Sequence, residues 1–489
     1  MQPPVSRAVE FETHPGRWTL GGYAEAYGIV ETDADSPRQR PEGIFDAILS
    51  GDLYGVRPHL DVQMLVGGPP EHATGFGIFN FQDVFQNISP SIEFEEGYFD
   101  FTLANIDIRA GLQKFAWGKL DRFHPTDIVN PRQFSDPFLT DETDAKIGIP
   151  SISASGYPPD PQSQWLSSPS VTLLWVPVPI PFRFPLQDER WFPPAATVPP
   201  IVEIPAGVLG PLLPSATIRT TFATANTAAH QRLEDGAFGA RLAGLSAGVD
   251  WSLYFYNGRE TAPAFDLGTS VRLAMDREPG TIVLDGTAVL QPRFGQIWLT
   301  GGDAAFQFAG FTARAEAAYG SNRLVPRSTA DLVSTENILR AVGPDITSIL
   351  QRLLMGETVP VNLGDLFERR DVVEWGVGVD YAYKGWTPVL QINQAVVLHN
   401  DVTLLVPNVD TRLLAALRKT FLSDRLASEL IGVQGFERSY TTAIARLTYT
   451  LTDYLRIRAG YLLIAGSRNT VLGQYKNNDE VFLQIRLSH

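Results

Sequence analysis

Strict period-two alternation between apolar and polar residues constrains this chain more than any motif in it. Near the C-terminal end Val481, Leu483, Ile485 and Leu487 share one face of an extended segment, and Gln484, Arg486 and Ser488 share the other. Successive side chains of a strand point to opposite faces, so such a segment separates an apolar phase from an aqueous one. The pattern recurs upstream. Val56, Leu60, Val62, Met64 and Val66 oppose Arg57, His59, Asp61 and Gln63. Ile106, Ile108 and Leu112 oppose Asp107, Arg109 and Gln113. Val249, Trp251, Leu253 and Phe255 oppose Asp250, Ser252, Tyr254 and Tyr256. Val373, Trp375, Val377, Val379 and Tyr381 oppose Glu374 and Asp380. Leu447, Leu455 and Ile457 alternate with Arg446, Arg456 and Arg458. These runs are about 10–13 residues long, the length of a tilted strand that crosses a bilayer.

Composition removes the competing classes. No apolar stretch is long enough for a membrane-spanning helix. An apolar fraction of 44% suits a transmembrane barrel, whose strands meet lipid only at alternate positions. The chain has no cysteine, hence no disulfide and no thiolate metal site. A net charge of −15 argues against a nucleic-acid partner. The start, Met1-Gln2-Pro3-Pro4-Val5, has neither the basic nor the apolar region of a signal peptide, which reads as the mature form of an exported protein.

Connections alternate between short and long. Tight turns fit Ala104-Asn105, Ser246-Ala247-Gly248, Ala309-Gly310, Lys384-Gly385, Ser423-Asp424 and Thr452-Asp453. Long polar loops fit 31–52, 118–168, 258–287, 320–370, 399–409 and 465–478. Short periplasmic turns and long external loops are the asymmetry of an outer-membrane barrel. The segments Ser170–Val176 and Thr217–Ala225 decide the strand number, which is 18 if both cross and 16 if neither does. The prolines of 176–214 forbid a sheet there and point to an extended, polyproline-like insertion, with Phe182, Phe184, Trp191 and Phe192 packing against something. In 320–370, Ile346, Ile349, Leu350, Leu353 and Leu354 fall on one face of a helix that must be covered.

Glu95-Glu96-Gly97-Tyr98-Phe99-Asp100-Phe101, Ile106-Asp107-Ile108-Arg109-Ala110-Gly111-Leu112-Gln113, Trp117-Gly118-Lys119-Leu120-Asp121 and Pro125-Thr126-Asp127-Ile128-Val129-Asn130-Pro131-Arg132 together carry a resemblance. So do Leu174-Trp175-Val176-Pro177, Gly239-Ala240-Arg241-Leu242-Ala243-Gly244 with Trp251-Ser252-Leu253, and Asn478-Asp479-Glu480-Val481-Phe482-Leu483. The chain resembles a large, mostly uncharacterised group of proteobacterial outer-membrane β-barrels loosely related to porins. The resemblance implies a barrel fold. It implies function only as passive channels or as outer-membrane partners of exporters for lipids, hydrophobic compounds or polysaccharide. His489 departs from the aromatic residue with which such barrels usually end.

The inward charges form the first candidate site: Arg57, His59, Asp61, Asp107, Arg109, Asp250, Glu374, Asp380, Arg446, Arg456, Arg458 and Arg486. A ladder of opposite charges selects permeating ions, whereas the same charges paired across strands only line a polar wall. Arg446, Arg456, Arg458 and Arg486 come from the last three strands and would make a basic strip suited to anionic solutes. The second candidate is the loop holding Asp121, Asp127, Arg132, Asp136, Asp141, Glu142 and Asp144, as an inward constriction, a Ca²⁺ site or a plain solvated acidic loop. The spacing of a calcium loop is missing, so the metal question stays open, and no cofactor is expected. Catalysis is disfavoured: His59 and Asp61 could seed a dyad with a serine, but HExxH and GxSxG are absent.

The expected fold is all-β: an N-terminal periplasmic segment (1–16) and a single transmembrane antiparallel β-barrel of 16–18 strands (17–489). Long external loops accompany it, including a constriction loop (118–168), a proline-rich insertion (176–214) and a helix-bearing loop (320–370), with an inward-folded or plug-like segment. The expected function is an outer-membrane channel of a Gram-negative bacterium, in contact with outer-membrane lipid, that passes small solutes or ions. The alternative is a conduit or sheath component that needs periplasmic or inner-membrane export partners.

Overall fold

The computed structural model describes the chain outside residues 1–8, 14–15, 33–38, 68–90, 134–144, 160–165, 184, 186–189, 194–199, 209–212, 225–232, 276–279, 328–333, 400–403, 469 and 471. A short strand, β1 (Val9–Thr13), folds back on β2 (Gly16–Glu31). Around the ring β2 is followed by β3 (Gln39–Leu53), β4 (Val56–Gly67), β5 (Ser91–Leu103), β6 (Ile106–Gln113), β7 (Ile149–Gly156) and β8 (Ser167–Val176). Two loop-borne strands, β9 (Ile201–Ile204) and β10 (Ser215–Thr224), lie outside the ring. The ring resumes with β11 (Ala237–Ser246) and β12 (Val249–Arg259). Next come two further strands outside it, β13 (Ala264–Leu273) and β14 (Thr281–Arg293), and then β15 (Gln296–Phe308) and β16 (Phe311–Pro326) within it. After the short β17 (Val359–Val361), also outside, follow β18 (Phe367–Tyr381), β19 (Trp386–Val397), β20 (Val409–Phe421), β21 (Leu426–Gly435), β22 (Tyr440–Thr450), β23 (Leu455–Gly466) and β24 (Glu480–Ser488). β24 pairs back onto β2 from Tyr23↔Ser488 to Glu31↔Glu480, which closes a ring of eighteen antiparallel strands.

Closure satisfies every strand edge within the ring, and it is what allows a sheet to stand in hydrocarbon. The alternation read from the sequence appears as exposure. Val481, Leu483, Ile485 and Leu487 are 43–54% exposed, while Phe482 and Gln484 between them are 2% and 5% exposed. Phe306, Phe308, Phe311, Tyr383, Trp386 and Phe421 crowd the turn end of the outer face as an aromatic girdle. Lys419 lies over the Trp386 ring at 4.9 Å and donates to the Lys384 carbonyl at 2.7 Å, keeping its ammonium at the interface. A closed barrel with an apolar outer belt is built to stand in a lipid bilayer, as outer-membrane barrels do.

The hairpin turns are tight for a local reason. Tyr54-Gly55, Ala247-Gly248, Ala309-Gly310 and Lys384-Gly385 hold both residues at positive φ, the type I′ geometry whose twist matches the strands it joins. Tyr54-Gly55 corrects the loop read at 31–52, which is largely β3. Another correction concerns the strand number. Eighteen is reached with 167–176 in the ring but 215–224 outside it, and the missing crossing is β7, inside the region read as the 118–168 loop.

The long connections build a cap rather than separate loops. Strands from three of them form a second sheet in the order β17-β13-β14-β10-β9. β10 and β14 run parallel from Ser215↔Thr281 to Thr224↔Leu290. Two helices, α1 (Thr335–Val342) and α2 (Ile346–Leu354), pack on this sheet. The Ser334 side chain accepts from the Asn337 amide at 3.3 Å and caps α1. The apolar face of α2 is the one expected from Ile346, Ile349, Leu350 and Leu353, although Leu354 stays 78% exposed. The proline-rich insertion contains a strand after all. β9 fits between Pro200 and Pro205 because it is short and at the edge of its sheet, where prolines are tolerated.

Candidate functional site

The connection from β6 to β7 leaves the rim and turns into the lumen. Asn130 ties its two stems, accepting from the Phe115 amide at 2.6 Å and donating to the carbonyls of Gln113 and Ile147 at 3.0 and 2.9 Å. Asp127 sits between Arg132 at 3.2 Å and Lys146 at 2.6 Å. Its tip then lies along the wall formed by β12, β15, β16, β19 and β20. The Gly118 amide donates to Tyr254 at 3.2 Å and the Asp121 amide to Gln391 at 3.0 Å. Gln391 and Asn393 donate in turn to the carbonyls of Arg122 and Phe123. Arg412 covers the Phe123 ring at 5.3 Å.

Glu316 on β16 is the anchor. Its carboxylate, fully shielded from solvent, accepts from the amides of Lys119 at 3.1 Å, Leu120 at 3.4 Å and Thr126 at 2.8 Å, and from the Thr126 hydroxyl at 2.7 Å. Burying a carboxylate is tolerable only when donors replace its water, and here the loop backbone supplies them. Gly118 has φ +91°, and a Cβ there would stand 2.6 Å from the Glu316 carboxylate oxygen, so the turn admits glycine alone.

The charges around this loop are paired. Lys119 reaches Asp303 at 2.7 Å and Asp250 at 3.0 Å, and Tyr254 donates to Asp303. Arg314 bridges Asp380 and Asp121, the latter at 3.3 Å. Glu374 lies 3.8 Å from Arg323, which also holds Glu260. On the other side, Arg57 and Arg109 both bind Asp100 at 2.9 Å, and Asp107 accepts from Thr102 at 2.6 Å. His59 bonds Ser50 at 2.8 Å and stacks on Tyr98 with centroids 4.9 Å apart, while Asp61 lies against Asp46 rather than beside His59.

Arg446, Arg456, Arg458 and Arg486 line one stretch of inner wall. Arg456 and Arg486 are direct register partners. Arg446 approaches Glu429 at 3.6 Å, and Arg486 approaches Glu25 at 3.7 Å while covering the Tyr23 ring at 3.6 Å. β12 and β24 are the ninth and eighteenth members of the ring, so Asp250 and Arg486 stand on opposite walls.

The external half of the same wall is apolar inside. Ile29, Ile444, Leu462, Ile464 and Phe482 pack with Trp191 and Tyr475, and Leu414, Ile431, Val433 and Tyr440 pack with Phe123 and Leu472. The proline-rich connection therefore reaches the seam. There Arg190 pairs with Glu31 at 2.9 Å and Glu480 at 3.4 Å and donates to the Asp479 carbonyl at 3.0 Å.

Sequence reading overlooked Asp100, Lys119, Glu316, Gln391 and Arg190. Arg314 and Glu316 alternate with Ala313, Ala315 and Ala317, and that period could have placed both inward. Asp136, Asp141, Glu142 and Asp144 lie outside the described residues. Among the described residues no group of three or more carboxylate or histidine side chains could hold a metal ion.

No family model matches the chain, and no curated protein matches it. Solved structures do. Acinetobacter baumannii OccAB1 aligns with a TM-score of 0.49 and 9% identity, over 100% of this chain and 98% of that one. The outer-membrane protein opdK from Pseudomonas aeruginosa aligns with a TM-score of 0.48 and 7% identity, over 96% and 98%. Salmonella typhi OmpF, in a complex with daunomycin, aligns with a TM-score of 0.41 and 9% identity, over 98% and 100%.

Proposed function

We propose that this barrel is a passive channel for small solutes, narrowed by the β6–β7 connection and biased toward anions by the arginine wall. The observation that carries the reading is the pinning of that loop on Glu316 inside the lumen of a ring whose β22–β24 carry four arginines on one face. Four arginines share that wall with two carboxylates, Glu25 and Glu429. Elsewhere Asp100 is shared by Arg57 and Arg109, and Arg314 is shared by Asp121 and Asp380. A fixed positive surface at a constriction concentrates anions and repels cations.

The test is single-channel current from purified protein in a planar bilayer under a KCl gradient. The reversal potential should have the sign of anion preference. Arg456→Ala with Arg458→Ala should move it toward the cation side, with the barrel fold intact. A cation-selective wild type would overturn the bias, and silence from correctly folded protein would overturn the open channel.

That last outcome would favour a second reading, a conduit closed until an export partner opens it. The packing of Trp191, Leu472 and Tyr475 into the external half of the lumen supports this alternative.

A further inference from the structure

The cap holds a feature that conduction through the barrel does not use. Its helices and sheet do not close fully on one another, and between them lies a half-enclosed cavity of about 100 Å³. Ile204, Ala216 and Ile218 line it from the sheet, and Val342, Ile349 and Leu353 from the helices. The polar side chains along it carry hydroxyls, such as those of Thr220 and Ser270, and among the described residues no charged side chain lines it. The helix arginines point their charge elsewhere, Arg340 to Glu336 at 3.0 Å and Arg352 to Glu357 at 2.7 Å.

We infer that this cavity is a binding site for a neutral, aliphatic guest. Three observations converge on that chemistry. Protein interiors normally pack to crystal density, and an aliphatic void gives up the contacts its walls would otherwise make. Ile346, Ile349 and Leu350 share one face of α2 yet remain only partly buried, so a guest would complete their burial. An apolar cavity without charge or paired polar groups stays dry and takes apolar molecules, whereas an ionised headgroup would enter it unpaired. The site lies in the cap, so it stands whether or not the pore conducts.

The test is photolabelling of the full-length protein in lipid nanodiscs with a neutral alkyl diazirine, mapped by peptide mass spectrometry and competed with n-decane. Labelling of 201–224 and 335–354 should saturate and fall with competitor. Lipid-facing 481–487 should label without saturation and serves as the internal reference. Ala216→Phe, which fills the cavity, should reduce cap labelling at least tenfold, while Thr347→Trp on the exposed side of α2 should leave it unchanged. Cap labelling that never saturates, or that survives Ala216→Phe in a folded barrel, would overturn the proposal. Should Ala216→Phe fail to fold, saturation in the wild type decides alone. Native mass spectrometry before the probe is added separates two sources of guest. A retained acyl lipid displaced by n-decane identifies membrane lipid, and an empty cavity identifies a free solute.

Discussion

Glu316 shows how one buried carboxylate can pin a loop inside a barrel. Removing it leaves four donors facing a dry wall, each unmet donor costing about 1–3 kcal/mol. Glu316→Ala should therefore release the loop tip, raising single-channel conductance and open-channel noise while the barrel keeps its heat-resistant electrophoretic mobility. Unchanged conductance would show that the loop is held elsewhere. Glu437, outside the membrane in the β21–β22 connection, makes a pH prediction. Burial works against its charge, but the amide and hydroxyl of Thr411, both at 2.6 Å, prevail and hold its carboxyl below the ordinary range. A lowered folded value means that the tie is complete above the unfolded carboxylate range and is lost as pH falls through the folded one. Hydrogen exchange at the Thr411 amide should thus accelerate in acid relative to neighbours, and Glu437→Gln should remove that difference. The inward position of Glu316 is visible from its alternation with Ala315 and Ala317, but its partners lie about 190 residues away in sequence and have no period to announce them.

Elements differ in how far local pattern determines them. α2 is legible because Ile346, Ile349, Leu350 and Leu353 repeat at helical spacing. The cap sheet is not, because its strands come from three separate connections and its β10–β14 pairing is parallel. Residues 258–287 read as loop for the same reason: β13 and β14 acquire meaning only when β10 and β17 flank them. Leu353 is 4% exposed at the centre of the helix–sheet contact. Leu353→Ala should destabilise the cap by about 2–5 kcal/mol. Exchange should quicken across 335–361 and β14 while the barrel strands stay protected. Equal loss of protection in the barrel would mean that cap and barrel unfold as one unit.

At the scale of the whole molecule the barrel depends on a seam between residues at opposite ends of the chain. β2 and β24 share nine register pairs, and the Gly22 and His489 backbones add two further bonds of 3.2 and 2.9 Å. Deleting 480–489 should expose two strand edges to hydrocarbon, where unpaired backbone groups are prohibitive. The shortened chain should not insert as a heat-modifiable barrel; a folded, protease-resistant product would show that β23 can close on β2 instead. His489 takes part through its backbone amide and carbonyl, which makes its bond to Gly22 independent of the side chain. From the sequence alone came the class of fold and the lipid face of those barrel strands that were read from their alternation. Those follow from periodicity, and a side chain two residues along a strand always returns to the same face. Only the tertiary structure decided that 149–156 crosses and 215–224 does not, that three connections join into a cap, and that a loop is pinned on Glu316. Such choices rest on hydrogen bonds and packing between segments distant in the chain, whose geometry exists only once the ring has closed.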